Sequence, residues 1–221
     1  MTDPHSTAAL PVPQRAGIFV FRRVARGAAS VFREIGRRVY FAKDIGRGFG
    51  DPATYMRLLF AQLRGIGVDS VPLAAIVAAF IGAVTAYQAF YQLFAGVQNS
   101  VVGLISRQTV ILELGPLLTG LVLTGRVGAR MTAEIGTMRV TEQIDALETL
   151  AYDPMSYLVV PRVLAALIML PVLTIVANAV GVLTAYGTAV LATGISPEDM
   201  QLGLRLAFNT FQIIYSLIKA A

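Results

Sequence analysis

Long apolar stretches alternate with charged segments along this chain. Residues 71–98 contain no charge, and a membrane-spanning helix needs about 20 apolar residues. The pattern therefore predicts a first span over 71–95. Three further apolar runs follow: a second span over 101–124, a third over 158–193, and an incomplete fourth from Met200 to Ala221. The class this predicts is an all-α integral membrane protein with four visible spans.

A polar segment separates the second and third spans, from Gly125 to Glu148. Met131, Ile135 and Met138 form one apolar stripe at helical spacing, and a second stripe out of phase begins at Val140. Two short helical pieces are therefore predicted, with a bend near Thr141, which we expect to cap the second piece. Pro154 ends the segment, because proline cannot continue a helix. The segment is either a connector or a docking element for a soluble partner.

The N-terminal part is basic and amphipathic. Residues 1–16 are proline-rich and predicted to be a disordered tail, and 17–65 are predicted to form cytoplasmic interfacial helices, with a break at 46–52. Apolar side chains recur at helical spacing between arginines, which suits a helix lying in an anionic membrane surface. A solvated helix packed on the rest of the protein is the alternative.

Composition supports the membrane assignment and excludes several classes of site. Charged residues make up 14% of the chain and mean hydropathy is +0.67, whereas soluble domains carry roughly 25% charged residues. With no cysteine and only His5, no cluster of histidine or cysteine ligands is available, and we expect no metal site and no catalytic residue. The chain contains no Gly-x-Ser-x-Gly motif, so the sequence does not indicate an intramembrane enzyme.

The distribution of basic residues predicts the orientation. Eleven of the eighteen lysines and arginines precede Ser70, and basic loops stay on the cytoplasmic side. The N-terminus and the polar segment are therefore predicted to be cytoplasmic, whereas residues 96–106 and 194–199 lie outside. This asymmetry does not indicate nucleic-acid binding.

A long ordered series of motifs resembles the MlaE/YrbE-type permease family, the transmembrane subunits of ABC transporters that move phospholipids or related lipids with MCE proteins. The resemblance covers about residues 51–221. The motifs that carry it are Gln62, Ile66-Gly67-Val68, Ser70, Pro72, Phe80-Ile81-Gly82, Glu113-Leu114-Gly115-Pro116, Gly125-Arg126-Val127-Gly128, the run 133–147, Asp153-Pro154, Pro161-Arg162, Leu170-Pro171 and Ile218-Lys219.

The resemblance implies a function and a set of partners. It implies a homodimeric permease domain over 66–221 in the bacterial inner membrane, with a coupling helix over 130–148 that docks on a cytoplasmic ATPase. This chain has no phosphate-binding loop motif, so ATP and Mg would bind that ATPase and no cofactor is expected here. A periplasmic MCE-domain protein is the other implied partner, and a small STAS-type protein is an optional one. The alternative is a membrane scaffold that anchors a soluble partner through residues 126–150 without transport.

The implied docking residues and helix breakers lie in and around the polar segment. The ATPase-coupling candidates are Arg130, Glu134, Gly136, Thr137, Met138, Arg139, Glu142, Gln143, Asp145 and Leu147. The predicted helix-breaking positions are Gly115, Pro116, Pro161 and Pro171.

Glu113 is the first candidate for a lipid cavity, because ionisable side chains at membrane depth usually face a cavity or a partner. Six residues of helix from Arg107 place it roughly 9 Å into the membrane. A structural hydrogen bond to a neighbouring helix is the alternative, and Lys219 is a candidate counter-charge. An outer band of side chains is either an interfacial belt or part of the pocket: Tyr87, Gln88, Tyr91, Leu93 and Phe94.

Two departures from the family pattern change the expectations. The position before Glu113 is commonly arginine in the family and is Leu112 here, so no local ion pair is expected there. Family members also continue beyond the position of Lys219, completing the fourth span and adding a fifth. We therefore expect this sequence to lack the C-terminal part.

Overall fold

The computed structural model describes residues 29–30, 32–47, 52–94 and 96–220, and all regular structure in those ranges is helical. The chain divides into two units, residues 1–50 and 51–221. In the first unit a helix (α1) covers 32–47 and exposes both apolar and basic side chains, such as Phe32 and Arg38. The predicted tail over 1–16 lies outside the described residues, and the interfacial role of α1 stays a prediction.

The second unit contains eight α-helices within its described residues. They are α2 (Pro52–Ile66), α3 (Val71–Tyr91), α4 (Ser100–Gln108), α5 (Gly115–Val140), α6 (Gln143–Thr149), α7 (Val160–Ala192), α8 (Pro197–Arg205) and α9 (Thr210–Ala220). A 3₁₀ turn (Val68–Ser70) joins α2 to α3, and π-helical turns precede α5 (Thr109–Leu114) and α7 (Met155–Val159).

Three helical stretches in the described part of the chain have the length and composition to cross a membrane. They are Tyr55–Tyr91, Ser100–Val140 and Met155–Ala192. Each overlaps one of the three complete spans predicted from the sequence, although the first and third stretches end at Tyr91 and Ala192, slightly before the predicted ends at 95 and 193. The prediction that a fourth span begins at Met200 is wrong, because α8 ends at Arg205 and α9 begins separately at Thr210. The fourth and fifth spans of the family stay predictions.

Small residues allow α3 and α7 to pack closely. A Cβ atom on Gly82 would lie 2.0 Å from the carbonyl oxygen of Gly181, and buried alanines continue the contact along both helices. Without a hydrophobic driving force between helices in lipid, such close packing is the main source of helix association. The α3–α7 pair therefore forms the central contact of this unit.

The four predicted helix-breaking residues behave in two ways. Gly115, Pro116 and Pro161 lie where a π-helical turn changes to an α-helix, at the starts of α5 and α7. Pro171, in contrast, lies inside α7, which continues on both sides of it. The prediction that Pro171 breaks a helix is therefore wrong.

Candidate functional site

The polar segment does not stand apart from the second span, because residues 125–140 belong to α5. Helix α5 runs unbroken from Gly115 to Val140, and α6 follows after two residues. The predicted bend is therefore present, at Thr141 and Glu142. We call residues 125–134 the proximal segment and residues 135–148 the distal segment.

Thr141 caps the first helix and not the second, so the predicted N-cap is wrong. Its hydroxyl donates to the carbonyl oxygen of Thr137 at 2.8 Å, within α5. Glu142 instead precedes α6, in the left-handed region with φ of 57° and with no capping side-chain bond. Threonine hydroxyls commonly bond to the carbonyl one turn earlier. Here that bond competes with capping of α6, because the Thr141 hydroxyl is engaged within α5.

Two arginines of the proximal segment bind back to the turn between α2 and α3. Arg126 Nη1 donates to the carbonyl oxygen of Asp69 at 2.5 Å and to Ser70 Oγ at 3.2 Å. One turn further along α5, Arg130 Nη1 lies 3.6 Å from the Asp69 carboxylate and donates to the Gly65 carbonyl at 3.4 Å. Arg130, a predicted docking residue, is thus engaged within the chain.

Glu134 contacts the third span. Its Oε1 lies 2.9 Å from Nη2 of Arg162, a side chain only 6% exposed in the first turn of α7. The pair borders a cavity of about 210 Å³ that is also lined by Leu58, Gln62 and Met138. Glu134 therefore joins the polar segment to a membrane-spanning helix.

The apolar stripe of the proximal segment anchors it as well. Val127 and Met131 pack against a buried cluster formed by Leu59, Ile66 and Ala165, which belong to α2 and α7. The contact removes apolar surface from water, which favours this arrangement by about 25 cal/mol for each Å² buried.

The distal segment makes few contacts with the rest of its unit. Arg139 Nη1 lies 2.6 Å from Asp145 Oδ1, and both side chains are more than half exposed. Met138 and Leu147 are half-buried. The remaining distal docking candidates are exposed: Gly136, Thr137, Arg139, Glu142, Gln143 and Asp145. This segment therefore presents a mixed-charge surface.

Asp153 anchors the chain where the distal segment leads into α7. Its carboxylate accepts from Ser156 Oγ at 2.7 Å and from the backbone N–H groups of Met155 and Ser156, each at 3.2 Å. The Ser156 hydroxyl, followed by the two N–H groups, holds the pKa of Asp153 below its ordinary value, although partial burial opposes the shift.

Glu113 and Lys219 lie on neighbouring turns but do not pair in the described structure. Lys219 Nζ donates to the carbonyl oxygen of Leu112 at 3.1 Å. That carbonyl lies four residues before Pro116, which has no N–H to offer it. Glu113 is exposed and forms neither an ion pair nor a hydrogen bond within the described residues, so the alternative of a structural hydrogen bond is not seen.

A buried polar contact holds α9 beside Glu113. Asn178 Nδ2 of α7 donates to Ser216 Oγ of α9 at 2.9 Å, one turn before Lys219. A Cβ on Gly115 would lie 1.9 Å from Asn178 Oδ1, so only glycine leaves room for the amide. Asn178 could not be identified from the sequence, because an amide between apolar residues has no periodic signal.

The outer band divides into surface and core positions. Tyr87 and Tyr91 are exposed, with hydroxyl oxygens 3.2 Å apart and ring centroids 4.6 Å apart, and Phe94 is also exposed. Gln88 lines a cavity of about 230 Å³ together with Leu114. Leu93 is half-buried against a core cluster that includes Val102 and Met200. The structure thus groups Gln88 with the Glu113 turn and places Leu93 elsewhere.

Arg107 is a second residue whose structural role the sequence did not reveal. Its guanidinium is buried and donates to the carbonyl oxygens of Leu204, Leu206 and Ala207 at 2.8, 3.1 and 3.5 Å. These carbonyls lie at the C-terminal end of α8, where a cation is favoured. Arg107 therefore fixes the α8–α9 turn.

Comparison with known proteins places the chain in a family. The family model described as Permease MlaE matches residues 59–221. A probable ABC transporter permease protein of Rickettsia prowazekii is 42% identical over 177 residues, which cover 76% of this chain and 65% of that relative. The chain thus spans slightly less than two thirds of that relative's length.

Two further relatives carry names that mention lipid transport or a chloroplast location. The intermembrane phospholipid transport system permease protein MlaE of Haemophilus influenzae is 35% identical over 153 residues, covering 68% of this chain and 58% of the relative. The chloroplastic protein trigalactosyldiacylglycerol 1 of Arabidopsis thaliana is 32% identical over 168 residues, covering 75% and 47%. Because the family model covers well over half of the sequence, this chain belongs to the MlaE permease family.

Proposed function

We propose that this chain is the transmembrane permease subunit of an ABC transporter that moves phospholipids or related lipids between the inner and outer membranes of a bacterium. In this proposal the chain forms a homodimer in the inner membrane with its N-terminus in the cytoplasm. A separate cytoplasmic subunit hydrolyses ATP, a periplasmic MCE-domain protein exchanges the lipid, and a small STAS-type subunit is an optional addition.

The continuity of α5 is the observation that carries the proposal. This helix begins at Gly115, directly after the turn that holds Glu113, and ends at Val140 in the distal segment. Its 26 residues rise about 39 Å at 1.5 Å per residue. A displacement at the exposed end is therefore carried along one rigid element to the turn that contains the candidate lipid-site carboxylate.

The distal segment suits a soluble partner. It exposes acids and bases together, including the Arg139–Asp145 pair, and charges arranged in this way favour a specific orientation of a complementary surface. The proximal segment holds it in place through contacts with the α2–α3 turn and α7. We infer that the distal segment is the docking surface for the ATPase.

The turn around Glu113 suits the headgroup of a lipid. It combines an exposed carboxylate with the ammonium of Lys219, which reaches the same turn through the Leu112 carbonyl. Gln88 borders the neighbouring cavity. An acid and a base that lie close together can bind both charges of a zwitterionic headgroup.

The docking role is tested by charge reversal in the distal segment. Asp145→Lys breaks the pair with Arg139, and Glu142→Lys reverses a second exposed charge, so we expect each to reduce recovery of the ATPase in copurification at least fivefold, a typical cost of lost charge complementarity. Glu198→Lys, an exposed acid in the first turn of α8, is the matched control. Unchanged ATPase recovery from both distal variants would refute the docking role.

The lipid role is tested at Glu113. We expect Glu113→Ala to lower lipid transfer between vesicles carrying the complete complex, while assembly with the ATPase is retained. Wild-type transfer by the assembled Glu113→Ala complex would remove Glu113 from the site. A wild-type complex that binds the ATPase but transfers no lipid would instead support the scaffold function.

A further inference from the structure

An ion pair at the start of α7 joins the polar segment to this span, which the segment also contacts through the apolar side chains of Val127 and Met131. Arg162 lies near the start of the continuous helical stretch Met155–Ala192, in the part that forms α7. Its side chain is 6% exposed, and its Nη2 lies 2.9 Å from Glu134 Oε1. The position therefore requires a compensating negative charge.

Within the described residues, Glu134 is the acid that pairs with the Arg162 guanidinium. The other two guanidinium nitrogens of Arg162, Nε and Nη1, are buried and have no hydrogen-bond partner there. A buried charge that loses its partner is strongly destabilised. The two side chains are therefore expected to stay together when either helix moves.

The ion pair lies at the point where the proximal segment ends. Beyond Glu134, α5 continues for six residues to Val140 with mostly exposed side chains. The adjacent cavity of about 210 Å³, bordered by α2, α5 and α7, gives the helices room to shift against one another. A close-packed interface would resist such a shift.

The polar segment also forms a second ion pair, between Arg130 and Asp69, which is weaker than the Glu134–Arg162 pair. Its side chains are 61% and 46% exposed and lie 3.6 Å apart, and exposed ion pairs contribute little because water competes for both charges. It leads to the α2–α3 turn, which lies inside the Tyr55–Tyr91 stretch. The Glu134–Arg162 pair is thus the stronger charged link between the polar segment and a span.

We propose that the Glu134–Arg162 ion pair transmits movement of the distal segment to α7, and so couples ATP hydrolysis on the partner to the rearrangement that moves lipid. Both are positioning residues and touch neither nucleotide nor lipid. The proposal rests on the proposed function, since it identifies the contact through which that function would operate.

A covalent replacement of the ion pair tests the proposal. The chain contains no cysteine, so the double variant Glu134→Cys, Arg162→Cys can be labelled selectively in a complex with a cysteine-free ATPase. Removing both charges leaves no uncompensated charge in the site, so we expect the complex to assemble and to hydrolyse ATP within about twofold of wild type. Lipid transfer per ATP hydrolysed should fall about tenfold, which lies within the usual range of coupling between sites.

A cleavable bis-methanethiosulfonate reagent, which forms a disulfide with each cysteine thiol and releases one sulfinate from each end, then restores the link. We expect lipid transfer per ATP to recover to within about threefold of wild type and to fall again when a reductant cleaves the bridge. Glu198→Cys, a single exposed cysteine distant in sequence from the pair, is the control for the reagent. Transfer by this control complex should not respond to the reagent.

Three results would overturn the proposal. The first is wild-type transfer per ATP in the uncrosslinked double variant, and the second is a bridge that lowers transfer instead of restoring it. The third is loss of assembly both in this variant and in Glu134→Gln, Arg162→Met, which would indicate a purely structural role. Failure of the proposed function is distinct, because the wild-type complex itself would then transfer no lipid.

Discussion

The proximal segment (residues 125–134) and the distal segment (135–148) have a similar density of charge but differ in what those charges contact. All three charged side chains of the proximal segment, Arg126, Arg130 and Glu134, bind groups on α2, the α2–α3 turn or α7. In the distal segment, Arg139 and Asp145 bind each other and remain exposed. Charge in a sequence therefore does not distinguish a side chain that anchors a segment from one that is free for a partner.

The largest expected effect comes from breaking the buried contact of the proximal segment. Glu134→Ala leaves the guanidinium of Arg162 buried without an acceptor, which we expect to cost about 3 kcal/mol of stability. The matched distal variant, Asp145→Ala, breaks an exposed pair and should cost about 0.5 kcal/mol. Thermal unfolding of the two purified variants in detergent measures the difference. Equal losses of stability would show that the ion pairs of the two segments contribute equally to the fold.

A smaller effect is expected at the α2–α3 turn. Arg126→Gln removes donors to the Asp69 carbonyl and Ser70 Oγ, which we expect to cost about 1 kcal/mol. Hydrogen exchange of the Gly67 and Ser70 amides, which close this turn, should accelerate about fivefold. The distal variant Gln143→Ala should leave these amides unchanged. A turn that exchanges at the wild-type rate in Arg126→Gln would contradict an anchoring role.

The smallest effect is expected at Asp153, where the distal segment leads into α7. Its pKa is lowered in the folded protein, chiefly by the Ser156 hydroxyl, so its charged form stabilises the fold above the ordinary aspartate pKa of about 3.9. This contribution disappears as the pH falls through the folded pKa. Wild type should therefore melt slightly above Asp153→Asn at pH 6, and the difference should vanish at low pH. A difference that grows on acidification would contradict the sign of the shift.

Much of the architecture could be predicted from local patterns. The charge-free run over 71–98 contains α3, and the apolar run over 158–193 contains α7. Both were predictable, because length and apolarity alone decide whether a helix can span a membrane. The bend near Thr141 was also predictable, because two apolar stripes out of phase cannot lie on one face of a single helix. The end of α8 at Arg205 was not, because Arg107 holds that turn from a position about a hundred residues earlier.

The candidate sites were predictable only as sets of residues. The resemblance named Glu134, Arg130 and Asp145 together, with no means of telling that the first two bind within the chain. Glu113 and Lys219 were named as possible counter-charges, yet Lys219 reaches the Leu112 carbonyl that Pro116 leaves without its helical donor. Contacts of this kind depend on which helices are neighbours in space.

By itself the sequence determined the apolar spans, the polar segment between the second and third of them, and membership of the MlaE family. The spans and the polar segment follow from composition and periodicity, which act over neighbouring residues, whereas the family follows from an ordered series of motifs. Only the tertiary structure decided that α5 continues to Val140, that Glu134 compensates Arg162, and that Asn178 holds α9 beside Glu113. A buried charge or amide needs a hydrogen-bond partner, because a polar group without one is costly away from water. In these pairings the partner lies far away along the chain, so the local sequence does not reveal it.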